Sequence, residues 1–382
     1  MSKPQDSNPW SKIKLLPVLF VIGLFIAVWV RSQSSPASKG TSPAPTAAVA
    51  STSVTDKGQT ILRGPIFGTT YTIKVNEKLD EVAREGLQAN IERRLKKIDE
   101  AMSTYKKTSE VSRFNALPLG GAVTVSKATA EVLEVALHVG QLTKGAFDVT
   151  VGPLVNAWGF GPEQGAKAPD AAKLKTLRAR VGASRVMSFD EETRQLTKKV
   201  DGAALDLSAV AKGYAVDVVV KVLEEQEFTG IMVEIGGELR VSGQRADGKP
   251  WVLGIQNPRG GEPYEIFDAE EGALATSGDY RNFRVIDGKH VSHTIDPRTG
   301  APVTHGVASV SVLTQSCTAA DAWATALTVL GPVKGIQLAD EHRLAVMMLV
   351  RDGDGFKRQI SRLWPARSHR PGAKKPTPPK KD

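Results

Sequence analysis

Leu205-Asp-Leu-Ser-Ala-Val-Ala-Lys-Gly-Tyr-Ala-Val-Asp217 crowds an acid, a helix start and a lysine into one turn. Ser208 suits an N-cap, and Leu207, Ala211, Tyr214, Val218 and Val222 recur at helical spacing, which predicts a strand ending at Leu205 and Asp206 and running into a helix. Free amides and the positive end of the helix dipole favour an anion near residues 208–211, and Lys212 adds a full charge to that field. Taken alone, the stretch fits an ordinary strand-to-helix corner with a solvated lysine better than a ligand site.

Upstream of this corner, Thr69–Val75 alternates as a strand does, and Ile91, Leu95, Ile98 and Met102 mark one face of a helix begun near Asp80. A second helix is expected over Lys127–Leu142 and a third through Leu174, Leu177 and Val181, followed by a hairpin of Arg185–Asp190 with Arg194–Val200. Downstream, Ile231–Ile235, Leu239–Val241, Trp251–Ile255, Val307–Leu313 and Ala345–Val350 read as strands. Helices and hairpins mix without strict βαβ alternation, so the expected class is α+β, with mixed or antiparallel sheets and packed helices.

The 382 residues are 41% hydrophobic and 24% charged, ordinary for a folded chain with a sizeable core. The formal charge of +9 sits in the ends: residues 1–58 hold six Lys/Arg against two Asp, and residues 367–382 six against one. The stretch between them is neutral overall, which argues against a basic groove and against nucleic acid as a partner. Cys317 is the single cysteine, so no intramolecular disulfide can form, and it reads as a small buried residue beside a helix start.

An apolar run, 15–30, follows Lys12 and Lys14, a membrane-targeting pattern. No lipidation cysteine follows, and Ala48-Val49-Ala50 lies too far on for ordinary signal cleavage, which favours an uncleaved anchor. The lysines ahead of the run suggest an inside N-terminus (1–14) and an exported body, although Arg31 and Lys39 soften the asymmetry. Residues 31–58, rich in Ser, Pro, Ala and Thr, read as a flexible tether; 59–365 as the folded domain; 366–382 as a basic, Pro- and Lys-rich disordered tail.

Thr318-Ala-Ala-Asp-Ala-Trp-Ala-Thr-Ala-Leu-Thr-Val-Leu330 predicts a helix stopped by Gly331-Pro332. Asp321 and Thr325, four apart, put a carboxylate and a hydroxyl on one face with small alanines between them, an oxygen set suited to Mg²⁺ or Ca²⁺. Thr318 and Asp321 equally match a helix-capping pair, and spacing alone slightly favours that alternative. The chain has no Gly-x-Ser-x-Gly, no P-loop, no Gly-x-Gly-x-x-Gly opening a helix and no His-x-x-x-His pair. Among six scattered histidines, His293 stands out because it precedes the turn-rich Thr-Ile-Asp-Pro-Arg-Thr-Gly300, where side chains are held at a surface or cleft; a lone loop histidine is more often simply exposed.

Eight stretches in order resemble one family: Phe67-Gly-Thr-Thr-Tyr71; Met102-Ser-Thr-Tyr105 continuing to Ser112-Arg-Phe-Asn115; Gly145-Ala-Phe-Asp148; Asp206-Leu-Ser-Ala-Val-Ala-Lys-Gly-Tyr214; Glu234-Ile-Gly-Gly-Glu238; Ala275-Thr-Ser-Gly-Asp-Tyr280; His293-Thr-Ile-Asp-Pro297; and Ala320-Asp-Ala-Trp-Ala-Thr325. Over roughly residues 60–350 the chain resembles the ApbE family of FAD:protein FMN transferases. The resemblance implies an ApbE-like fold with a central FAD cleft and a Mg²⁺-dependent transfer of FMN from FAD to a threonine of a partner protein, with AMP released. By motif, Ala209 through its carbonyl, Ala324 through its carbonyl, Asp321 and Thr325 are the implied metal ligands. Phe67, Tyr105, Ala146, Phe147, Asp148, Asp206, Lys212 and Ile295 are the implied FAD contacts.

His293 and Lys212 are the implied catalytic groups: Mg²⁺, Lys212 and the nearby helix start neutralise the pyrophosphate, and His293 takes or orients the acceptor's proton. Phe67 stands where many members carry methionine, and Glu271-Gly-Ala-Leu-Ala-Thr276 is faintly similar to the acceptor motif, with Thr276 read as structural. The implied acceptor is a subunit of a membrane redox complex, such as Na⁺-pumping quinone reductase, reached by a periplasmic domain anchored in a bacterial inner membrane. Two alternatives stay open: a Mg²⁺-dependent FAD pyrophosphatase releasing FMN and AMP, and a non-catalytic periplasmic flavin-binding protein.

Overall fold

A computed structural model describes residues 51–54, 58–162, 168–279, 283–286 and 289–365, with backbone alone for 51–54 and 289–290. The chain opens with strands β1 (Ser51–Val54), β2 (Thr60–Ile66) and β3 (Thr69–Val75), then helices α1 (Glu81–Met102) and α2 (Glu110–Ala116). Strand β4 (Ala122–Thr124) precedes α3 (Lys127–Leu142), α4 (Gly152–Ala157), α5 (Ala171–Arg178) and α6 (Ala183–Val186), and the hairpin β5 (Met187–Asp190) and β6 (Gln195–Lys198) follows. Helix α7 (Ala211–Glu224) leads into β7 (Ile231–Ile235), β8 (Glu238–Ser242), β9 (Trp251–Ile255), β10 (Glu265–Ala269) and β11 (Glu271–Gly278). Short strands β12 (Phe283–Ile286), β13 (Lys289–Ser292), β14 (Ile295–Asp296) and β15 (Ala301–Pro302) come next, and the described chain closes with β16 (Val307–Thr314), α8 (Cys317–Glu341), β17 (Ala345–Asp352) and β18 (Gly355–Ile360).

Nine strands form one sheet in the order β1-β2-β3-β7-β8-β11-β16-β17-β18, antiparallel at every junction. Alternation along the strands divides the interior. On β17, Val346 and Met348 join the main core, whereas Met347 and Leu349 face a second core with Trp251, Leu253, Phe267 and Trp364. The main core is closed by α1, α3, α7 and α8; the second is closed by the β9–β10 hairpin, so both faces of the sheet are covered. A third, smaller cluster holds Leu154, Leu177, Val181 and Ile295.

The expected helices from Asp80 and over Lys127–Leu142 form with side-chain caps: Asp80 Oδ1 accepts from Ala83 N at 2.8 Å, and Ser126 Oγ from Thr129 N at 3.3 Å. Four expectations are corrected. Val181 lies beyond α5, in the turn after Arg178. Arg185 belongs to the short α6, not to the hairpin. The strand expected at Leu205–Asp206 shrinks to an isolated parallel bridge between Ala204 and Val151, because the backbone beyond it bonds elsewhere, as described below. Strand β1 falls inside the stretch read as a tether, its Thr and Val pairing along β2 at the sheet edge. The helix stop at Gly331 is met: φ of 77° and ψ of −177° break α8 there, a left-handed backbone that glycine alone adopts without strain. The apolar run 15–30 lies outside the described residues, and among the described residues no helix is long and apolar enough to cross a membrane.

Candidate functional site

The start of α7 is built differently from the expectation. Ser208 is exposed and its amide donates to Asp206 Oδ1 at 2.9 Å, so Ser208 does not cap the helix; Val210 occupies the cap position without a side-chain bond. Gly213 N, which would ordinarily close on the Ala209 carbonyl, donates instead to Asp321 Oδ2 on α8, at 3.1 Å. Among the described residues the Ala209 carbonyl is therefore left without a hydrogen bond, and the Lys212 amide with no acceptor.

Asp321 does not bond back to its own helix start, as a capping pair would require. Helix α8 is capped by Ser316, whose Oγ accepts from Ala319 N at 3.3 Å, and by Asp217 on α7. Asp217 accepts from Cys317 N (3.0 Å), Thr318 N (2.9 Å), Thr318 Oγ1 (2.7 Å), Ser316 Oγ (2.8 Å) and Arg240 Nη1 (2.9 Å). Each helix thus supplies the acid that satisfies the other's amino end. They meet so closely at Gly213 that a Cβ there would stand 2.2 Å from the Cys317 oxygen. Cys317 is buried as expected, and burial lifts its thiol well above the ordinary range, as does the nearby Asp217.

Lys212 reaches from the α7 start to Glu238 Oε1 at 3.1 Å and Asp321 Oδ2 at 3.5 Å. Its stem packs beside Gly236, and Gly236 lies against Thr69, so the Phe67-to-Tyr71 and Glu234-to-Glu238 stretches converge on it. Burial works to strip the lysine's proton, but Asp321 and Glu238 overcome it and hold the ammonium above its ordinary pKa. Burial pushes the Glu238 carboxyl up to about 8, with Lys212 pulling it back and Asp321 pushing it further, and Glu238 Oε2 is buried with no hydrogen-bond partner among the described residues.

Asp321 is 5% exposed, its two contacts fall on Oδ2, and Oδ1 meets no donor among the described residues. One turn on, within α8, the hydroxyl of half-buried Thr325 has no hydrogen-bond partner among the described residues. The Ala324 carbonyl is already taken, accepting from Thr328 Oγ1 at 2.7 Å. The unpartnered Ala209 oxygen, Asp321 Oδ1 and the Thr325 hydroxyl are hard oxygen donors of the kind Mg²⁺ prefers, and the residues fit such an ion. Among the described residues no three of His, Cys, Asp and Glu gather into a metal cluster.

A second wall is tied to the corner by Asn115. Its Oδ1 accepts from Leu205 N at 2.7 Å and its Nδ2 donates to Leu205 O at 3.0 Å, replacing the strand partner the sequence led us to expect; Asp206 N donates to Val149 O at 2.7 Å. Asn115→Ala is expected to cost about 2–3 kcal/mol, since two buried-backbone bonds are lost together, read as a shift in the urea unfolding midpoint. Asp148 is consumed within the fold: Oδ1 accepts from Thr150 N at 2.8 Å and Oδ2 from Ala183 N at 3.0 Å, which fixes the loop carrying buried Ala146 and Phe147.

Gly145 lies against Arg298, whose guanidinium is paired with Asp296, so the loop also meets the 293–300 turn. There Ile295 is buried, and His293 meets the Phe160 ring edge-on at a centroid distance of 6.3 Å. Phe67 sits in the β2–β3 turn with φ of 49°, half-buried against the main core, whereas Tyr105 is 71% exposed and so is no core residue. Thr276 meets Ser311 Oγ at 2.8 Å between β11 and β16, consistent with a structural part.

The ApbE family model matches residues 67–348. The chain belongs to the ApbE family. The FAD:protein FMN transferase of Vibrio cholerae serotype O1 is 42% identical over 306 residues, 79% of this chain and 91% of the relative. That of Escherichia coli K12 is 37% identical over 306 residues, 79% of this chain and 87% of the relative. The solved flavin transferase ApbE from Vibrio cholerae superposes with a TM-score of 0.73 at 42% identity, covering 80% of this chain and 97% of that one. Pseudomonas stutzeri flavinyl transferase ApbE, apo form, gives 0.73 at 37% identity, covering 82% and 95%.

Within this ApbE chain, sequence reasoning brought Lys212, Asp321 and Thr325 forward but passed over Glu238, Asp217 and Asn115 as site-building groups. Each closes a stretch quoted above: Glu238 follows a Gly-Gly turn, Asp217 ends the opening corner, and Asn115 ends the Ser112 run. An acid or amide at the edge of an apolar element was the available signal; its partner was not, lying 90 residues away for Asn115–Leu205 and 100 for Asp217–Cys317, and across the β7–β8 turn for Glu238–Lys212.

Proposed function

We propose that this chain is an FAD:protein FMN transferase that uses Mg²⁺ to move FMN from FAD to a threonine of a partner protein and releases AMP. The observation that carries the proposal is the diverted Gly213 amide. By binding Asp321 Oδ2 it leaves the Ala209 carbonyl, Asp321 Oδ1 and the Thr325 hydroxyl available to one hard cation beside a cationic helix start. When bound, magnesium supplies positive charge at the pyrophosphate oxygens.

Lys212 and the open amide at the start of α7 receive the pyrophosphate and hold it in line. Ala146, Phe147, Ile295 and Phe67 offer apolar contact to the flavin or adenine, and Tyr105 stands exposed where a ring can lie on it. A ring nitrogen of His293 takes the proton of the threonine hydroxyl as its oxygen bonds to the FMN phosphorus, and the bond from that phosphorus to AMP breaks. AMP leaves with the electron pair. Family membership of the relatives named as transferases supports this reading. We further propose that segment 15–30 anchors the protein in a bacterial inner membrane with the catalytic domain in the periplasm. Its acceptor there is a subunit of a membrane redox complex such as Na⁺-pumping quinone reductase.

The test is mass spectrometry of a threonine-containing acceptor domain after incubation with the protein, FAD and Mg²⁺, with nucleotide analysis of the same mixture. An FMN adduct with equimolar AMP, absent when the metal is chelated, is expected. FMN and AMP without an adduct on any of several acceptors would point to a pyrophosphatase, and intact bound FAD to a carrier. His293→Ala is expected to lower transfer by about 10²–10⁴-fold while retaining FAD binding; full activity would remove His293 from the chemistry.

A further inference from the structure

The face of the nine-stranded sheet turned away from α7 and α8 carries a cavity of about 220 Å³ beneath β9. Gln59, Lys74, Met232, Arg245, Asp247 and Trp251 are among its lining residues. Lys74 lies on β3 between Ile73 and Val75, which face the helices, so its side chain is on the opposite side of the sheet from Lys212. This cavity is separate from the transfer site, and nothing about it depends on the function proposed above.

The chemistry of the walls is one-sided. Lys74 has no carboxylate partner among the described residues, and Arg245 has one, Asp247 Oδ2 at 3.2 Å. Burial, then the neighbouring Arg63, then Arg245 depress the Lys74 ammonium, as expected of like charges crowded together without enough counter-charge. Two further donors find no partner among the described residues: Trp251 is 3% exposed and its Nε1–H meets no acceptor, and Arg245 Nε is covered and likewise unpartnered. Buried donors without acceptors are rare and mark places where a partner is missing. The volume is below the roughly 300–1,000 Å³ of pockets that enclose drug-sized ligands, which favours a compact group with several acceptor oxygens.

We propose that this cavity binds a phosphate group, with Lys74 as the principal cation and Arg245 and Trp251 Nε1 as accompanying donors. The group can come from free phosphate or from a phospholipid headgroup. The second source is considered because the sequence carries the apolar, membrane-targeting run 15–30.

The experiment uses the full chain in chloride buffer. Inorganic phosphate is titrated calorimetrically, and flotation is measured with phosphatidylglycerol–phosphatidylcholine vesicles against phosphatidylcholine alone. Lys74→Gln and Arg245→Gln are compared with the wild type at matched thermal midpoints. Each substitution is expected to weaken phosphate binding by at least about tenfold and to leave FMN transfer unchanged. A parallel loss of flotation on phosphatidylglycerol assigns the lipid source, and unchanged flotation assigns free phosphate. The proposal is overturned if the wild type takes up neither probe, or if Lys74→Gln matches it with both.

Discussion

Asp321→Asn is expected to lower FMN transfer by at least about a hundredfold, with the loss traceable to the cation. The carboxylate has two tasks. Oδ2 accepts the Gly213 amide and balances Lys212, and Oδ1 is the one charged oxygen in the set that includes the Ala209 carbonyl and the Thr325 hydroxyl. Asparagine keeps the shape and can keep the Gly213 bond through its amide oxygen. Its NH₂ group then points where a cation should sit, and the negative charge opposite Lys212 is gone. Stability should fall by about 1–3 kcal/mol from the weakened buried bonds, too little to unfold a domain of this size. Magnesium titration calorimetry beside the transfer assay separates the two effects. An unchanged magnesium affinity with near-normal transfer would reduce Asp321 to a helix-capping group.

Gly213→Ala is expected to destabilise the protein by about 3 kcal/mol or more, against the usual gain of about 0.5–1 kcal/mol for this exchange inside a helix. The added Cβ would lie 2.2 Å from the Cys317 oxygen, 2.7 Å from its carbonyl carbon and 2.9 Å from Asp321 Cβ. Two of these three atoms are backbone, so no rotamer change relieves the clash. Helix α7 would have to withdraw from α8, which stretches the Gly213–Asp321 bond and the Asp217 bonds to the α8 start together. The thermal midpoint should drop on the order of 6–12 °C, and magnesium binding should weaken with it. A midpoint equal to or above that of the wild type would mean that the helices do not approach at this glycine.

The two variants address one construction. Asp217 and Asp321 each finish the neighbouring helix, and the exchange leaves backbone groups at the α7 start unused. A helix capped by its own serine or threonine would satisfy the same amides locally and leave nothing to hold a ligand. In the proposed function, the site rests on a local rule left unsatisfied by the chain's own neighbours, a pattern expected at sites.

Much was legible in the sequence because it depends on near neighbours. Helix faces such as Ile91, Leu95 and Ile98, strand alternation in Thr69–Val75, the stop at Gly331 and the burial of Cys317 follow from periodicity and backbone preference within a few residues. The oxygen pair Asp321 and Thr325 was visible for the same reason, since four residues make one helical turn. Motif order made the family resemblance visible along roughly residues 60–350. What failed locally was what long-range partners decide. Ser208 looked like a cap, but Asp206 takes its amide; Asp321 looked like its own helix's cap, but it serves α7. The amino-acid order by itself determined most of the helices and long strands, and which residue types could serve a flavin and a cation. Only the tertiary structure decided which polar atoms remain available, because hydrogen bonds between residues about a hundred positions apart are chosen by packing, and packing does not show in local spacing.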